Sequence, residues 1–140
     1  GIDYAIIADN AAGYFMQRDR IDLMIVGADR VAGNGDVANK IGTYNLAVLA
    51  KHHNVKFMVV APSTTFDLKM ASGDLIPIEE RPTSEVSIVQ GKQIAPENCD
   101  AINPSFDVTP HALIDAIVCE KGVLRPPYSE SIKTMLGDDA

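Results

Sequence analysis

Apolar runs of strand length alternate along the chain with segments of helical periodicity, the signature of βαβ units and a mostly parallel sheet. Tyr4 to Ala8 reads as a first, buried strand, Asn10 to Gln17 as a short helix, and Leu23 to Gly27 as a second strand. The second strand is so continuously apolar that cover on both faces is expected. Residues 29–37, punctuated by Gly33, Asn34 and Gly35, read as a loop. From Ala38 to His53 the spacing of Ile41, Tyr44, Val48 and Leu49 fits one face of a helix, and Asn54 stands where that helix should stop. Lys56 to Ala61 is a third strand, ended by Pro62. The stretch from Ser63 to Pro104 is less regular. Thr109-Pro110 then forms a helix-start signal, a hydroxyl cap before a proline, which predicts a helix from Pro110 to about Ala116. Ile117 to Cys119 and Gly122 to Leu124 suggest a last strand or its edge, and residues 125–140 read as a loosely held tail.

The expectation is one Rossmann-like α/β domain over residues 1–140, a mostly parallel sheet flanked by helices. At 140 residues and 46% hydrophobic, the chain suffices for one packed core. A formal net charge of -7 argues against nucleic acid as a partner, since phosphate backbones reward clustered Lys and Arg. No apolar run approaches the roughly 20 residues of a membrane helix, so a soluble protein with no membrane association is expected. Cys99 and Cys119 show no metal-ligand spacing and read as ordinary buried, reduced thiols of an intracellular protein. Gly1 stands two residues before an apolar run, which reads as a chain cropped from a longer protein.

The segment from Gly27 to Thr43 carries the candidate chemistry. It leaves a strand at its carboxyl end, where ligands bind in open α/β sheets, and this places Asp29 where a reacting group would stand. Asn39 and Lys40 are expected in the first turn of the following helix, where free amides and the helix dipole favour an anion. An amide donor and an ammonium there make a phosphate site. Asp29 and Asp36 share this loop, and a partly desolvated carboxylate there could serve as general acid or base. Each residue also has a plainer reading: Asp29 as a turn cap or partner of Arg30, Asp36 as a helix N-cap or turn residue, Lys40 as a solvated charge. Neither G-x-G-x-x-G nor G-x-x-x-x-G-K-[ST] occurs, so no dinucleotide or ATP site is indicated.

The loop Gly-Ala-Asp-Arg (27–30) with Ala-Asn-Lys-Ile-Gly-Thr (38–43) resembles the family of methylthioribose-1-phosphate isomerases and the related regulatory subunits of initiation factor 2B. The resemblance continues through Ala-Pro-Ser-Thr-Thr-Phe-Asp (61–67), Ile-Glu-Glu-Arg-Pro (78–82), Asn103 to Pro110 and Ile114 to Val118. It implies an isomerase of methionine salvage that turns 5-methylthioribose 1-phosphate into its ketose, without metal or nucleotide cofactor, in a cytoplasmic homodimer; the nucleus is open to it as well in a eukaryote. Asp29 then matches the family's catalytic aspartate, and Asn39 and Lys40 its substrate-binding pair. The family's catalytic cysteine and its N-terminal helical region have no counterpart in residues 1–140, which implies that the fragment alone could be inactive. The alternatives are a non-catalytic regulatory subunit of initiation factor 2B and a ribose-1,5-bisphosphate isomerase.

The other polar residues weigh less. His111 is expected to cap or sit at the surface, and His52 and His53 to complement a helix C-terminus. Glu79, Glu80 and Arg81 read as an ion-pair or dimer-interface cluster, and Asp67 and Asp107 as residues that could line the crevice.

Overall fold

The computed structural model describes residues 1–137. A 3-10 turn at Asp9–Ala11 leads into α1 (Ala12–Met16), followed by β1 (Leu23–Val26), β2 (Arg30–Ala32), β3 (Val37–Lys40), α2 (Thr43–His52), β4 (Lys56–Val60) and β5 (Phe66–Asp67). Then come α3 (Ser84–Ser87), β6 (Ile88–Val89), β7 (Lys92–Gln93), β8 (Phe106–Thr109), β9 (Ala116–Cys119), β10 (Gly122–Leu124) and α4 (Tyr128–Leu136).

The main sheet has the order β1-β4-β9-β10. Its first three strands are parallel and β10 returns antiparallel to β9. Phe57, Val59, Ile117 and Leu124 join one core with Met16 of α1, Ala47 and Ala50 of α2, and Ile132 and Leu136 of α4. This is the expected Rossmann-like α/β arrangement. α2 ends as the sequence suggests: Asn54 adopts a left-handed conformation with φ 56°, which an L-residue other than Asn or Gly resists.

A second sheet, order β5-β2-β3-β8, was not anticipated. β2 and β3 form a hairpin in place of the expected loop over 29–37. Ala32 and Asp36 close a three-residue tip in which Gly35 takes φ +89°, a turn that needs glycine. Val31, Val37, Ala32 and Ala38 are fully buried, the first two in the main core and the last two in a smaller one with Ile76. β8 pairs along the whole of β3, from Val37↔Thr109 to Lys40↔Phe106.

Four further expectations are corrected. Residues 1–8 form no strand: Ile2, Tyr4 and Ile6 are 91%, 89% and 94% exposed, because no strand among the described residues supplies a ladder for them. The main sheet is not covered on both faces either. Register places Leu23, Ile25, Val60 and Val123 on one side, and they are 39%, 56%, 44% and 50% exposed. The Pro110 to Ala116 helix shrinks to one 3-10 turn at His111–Leu113, since Thr109 is committed to β8 and Ala116 opens β9. The tail is anchored through α4, whose Tyr128, Ile132 and Leu136 repeat every four residues and are buried; residues 138–140 of that expected tail lie outside the described residues.

Candidate functional site

The hairpin projects from the carboxyl end of β1, and Asp29 stands at its root. The Asp29 amide donates to the Ala38 carbonyl at 2.9 Å, although the register partner of Ala38 is Arg30. Two residues thus oppose one, the geometry of a β-bulge, which re-aims side chains where strands meet functional sites.

Asn39 and Lys40 lie in β3, not in the first turn of α2 as expected. Gly42, with φ +102°, separates them from the helix, which starts at Thr43. Consecutive strand residues point to opposite faces. Asn39 accordingly turns toward α2, where its amide donates to the Thr43 hydroxyl at 3.0 Å. Lys40 turns to the other face. There its charge adds to the hydrogen bond and charge of Arg81 in holding the Glu85 carboxyl below its ordinary range. The anion expected at the start of α2 is an internal one: the Asp107 carboxylate accepts the Gly42 amide at 2.7 Å and the Tyr44 amide at 3.0 Å.

A cleft of about 730 Å³ opens beyond the carboxyl ends of β1 and β4. Asp29, Arg30, Thr64, Asp67 and Lys69 line it together with Lys133 of α4. This is where an open α/β sheet places its ligands. Asn39 and Lys40 are not in its lining, so the structure brings Asp29 into the cleft without them. Arg30 is bound to Asp67 at 3.3 Å, which places Asp67 at the crevice as a structural anchor. Among the described residues the Asp29 carboxylate has no hydrogen-bond or ion-pair partner, so the reading of Asp29 as a partner of Arg30 falls. Sequence reasoning missed Lys69 and Lys133; Lys69 stands two residues after the Asp67 already singled out.

Asp36 is neither a helix cap nor a cleft residue. Its carboxylate joins four donors: the Asn34 side chain (2.8 Å), the Gly73 amide (3.0 Å), and the His111 amide (2.9 Å) and Nδ1 (2.8 Å). Burial by itself would push this carboxyl up; the donors from His111, Asn34 and Gly73 outweigh it and hold the group below its ordinary range. His111 is an exposed partner of that hub. Arg81 pairs with Glu85 at 2.6 Å and with Glu79 at 4.0 Å, and Glu80 accepts the Asn103 amide, so this cluster is an ion-pair network. Cys119 is buried as expected, but Cys99 is exposed, in a segment with no core neighbours to cover it.

An α/β chain with a polar cleft at the carboxyl edge of its parallel strands is the class that fold and site define. The model of the Initiation factor 2 subunit family matches residues 1–126, and the chain belongs to that family. It is 57% identical, over 98% of its length, to a methylthioribose-1-phosphate isomerase of Thermotoga neapolitana, and 56% identical over 96% to one of Chloroflexus aurantiacus. The chain spans about 40% of the length of these relatives, 40% of the first and 39% of the second. Among solved structures, 5-methylthioribose 1-phosphate isomerase from Pyrococcus horikoshii superposes with a TM-score of 0.93 at 47% identity, over 99% of this chain and 39% of that one. The translation initiation factor eIF-2B subunit delta from A. fulgidus gives 0.91 at 43% identity, over 97% and 39%.

Proposed function

We propose that this chain is the catalytic part of an aldose–ketose isomerase that converts 5-methylthioribose 1-phosphate to 5-methylthioribulose 1-phosphate in methionine salvage. The observation that carries this reading is the identity of 53–57% to proteins named for that enzyme, joined to an unpaired aspartate in the cleft of the fold. The phosphate on the anomeric oxygen prevents the sugar ring from opening as a free hemiacetal does, so a proton must be delivered near the ring oxygen. Asp29 is the group for that transfer. Asn39 and Lys40, one and two residues beyond the Ala38 carbonyl that holds the Asp29 amide, are the substrate-binding pair that the family resemblance implies, although they lie outside the cleft lining and on opposite faces of β3. The working protein is a cytoplasmic homodimer.

The similarity to the eIF-2B subunit favours a second reading, a non-catalytic subunit of that factor. Incubation of the full protein with 5-methylthioribose 1-phosphate separates the two. Appearance of the ketose phosphate supports the isomerase, and its absence at enzyme concentrations approaching those of substrate supports the subunit.

A further inference from the structure

We infer that Asn34-Gly35 is a deamidation site held closed by the fold, with Asp36 as its lock, so that the Asn34 amide becomes a carboxylate only when the hairpin tip opens. The inference is independent of the isomerase reading and concerns the chemistry of the β2–β3 turn itself.

Asn-Gly occurs once in the chain. Glycine after an asparagine leaves the next backbone nitrogen with no side chain to hinder it and the backbone free to turn. In the reaction the Gly35 nitrogen loses its proton and forms a bond to Cγ of Asn34, and the Cγ–Nδ2 bond breaks with release of ammonia. Water then adds to either carbonyl of the resulting cyclic imide and opens it, which leaves aspartate or isoaspartate at position 34. Water is the one co-reactant, and nothing is oxidised or reduced.

Each reacting group is already engaged in the folded turn. The Gly35 amide, the nucleophile, donates to the Ala32 carbonyl at 2.9 Å. The leaving nitrogen, Asn34 Nδ2, donates to the Asp36 carboxylate at 2.8 Å, and Asn34 Oδ1 accepts the Asp36 amide at 3.0 Å. One residue thus fixes the carboxamide at both ends, and turning that side chain onto the Gly35 nitrogen breaks both contacts. Asp36 is itself anchored by the Gly73 amide and by His111, so the lock is complete only when three segments of the chain are assembled. Gly35 is confined as well: with φ +89° it packs so closely on Tyr128 that a side chain there would meet the tyrosine Cβ at 2.5 Å.

The product does not fit the place that the amide leaves. A carboxylate at position 34 would face the Asp36 carboxylate across the 2.8 Å now spanned by a hydrogen bond, and like charges at that distance repel. Isoaspartate would add a methylene to the main chain of a turn pressed against Tyr128. A chain modified while the tip is open therefore cannot rebuild the joint at Asp36.

Incubation of the full protein at mildly alkaline pH, followed by peptide mapping with mass spectrometry and an isoaspartate assay, tests this. Wild type in buffer should convert Asn34 at least about tenfold more slowly than wild type in denaturing urea, and Asp36→Ala, shown to be folded by circular dichroism, should recover about tenfold in buffer, one decade being 1.4 kcal/mol. Asp107→Ala weakens the α2 cap and leaves the tip intact, so it should keep the wild-type rate and separate the lock from a general loss of stability. If Asp36→Ala does not fold, Asp36→Asn, which keeps the packing and accepts more weakly, takes its place with a rise of the same sign. Equal rates in buffer and urea overturn the inference, as does equal acceleration by the Asp36 and Asp107 variants. A folded Asp36 variant no faster than wild type also overturns it, and a slower one would make the carboxylate a base for the reaction instead of its lock.

Discussion

Asp36 holds His111 twice, through the backbone amide at 2.9 Å and through Nδ1 at 2.8 Å, and so ties the tip of the β2–β3 hairpin to the turn before β9. The same carboxylate takes the Gly73 amide, which brings a third segment to the joint. Asp36→Ala leaves these donors without their acceptor and should cost about 1–3 kcal/mol of stability at neutral pH. Urea unfolding measures this, and a loss below about 0.5 kcal/mol would remove the hub from the account. The pH dependence has a definite sign. The folded carboxyl lies below its ordinary 3.8, so its contribution is present above that value and is lost as the pH falls through the folded one. The gap between the wild type and Asp36→Ala should therefore close in acid.

Asp107 caps α2 from a neighbouring strand. Asp107→Ala should destabilise the protein by about 1 kcal/mol, the usual loss for a helix cap. Thermal unfolding should show the midpoint lowered by several degrees, with helical dichroism retained at low temperature. An unchanged midpoint would mean that water replaces the carboxylate at no cost.

Tyr128 is buried, donates its hydroxyl to the Ile114 carbonyl at 2.9 Å, and lies against Gly35 in the hairpin tip. Burial first, and the charge of Asp115 second, push its phenol well above the ordinary 10.0. A raised folded value means stability present below about pH 10 and lost above it, where the unfolded phenol ionises and the folded one does not. Alkaline titration followed at the phenolate absorption band should release this tyrosine only together with unfolding. Tyr128→Phe should remove that step.

The parallel strands were legible because β1, β4 and β9 are runs of Val, Ile, Met and Phe bounded by turn residues. Asp29 was legible because position at a strand's carboxyl end is a rule of the fold. The hairpin was not: β2 is three residues long, and β3 becomes a strand through pairing with β8, far along the chain. Asn39 and Lys40 were misplaced for a related reason, since only the left-handed Gly42 separates them from a helical pattern. Lys133 reaches the cleft through α4, whose buried positions were hidden behind Pro126-Pro127 and a polar surface. Residues 1–8 have a strand's composition and no strand beside them.

The central claim is that Asp29 moves the proton in the cleft, and the division between turnover and binding in Asp29→Asn tests it most directly. The amide keeps the shape of the side chain but cannot exchange the proton. With 5-methylthioribose 1-phosphate as substrate of the full protein, kcat should fall by at least about 10²–10⁴-fold, the usual contribution of a general acid–base group, while substrate affinity changes by less than about threefold. Full turnover in Asp29→Asn would contradict the account.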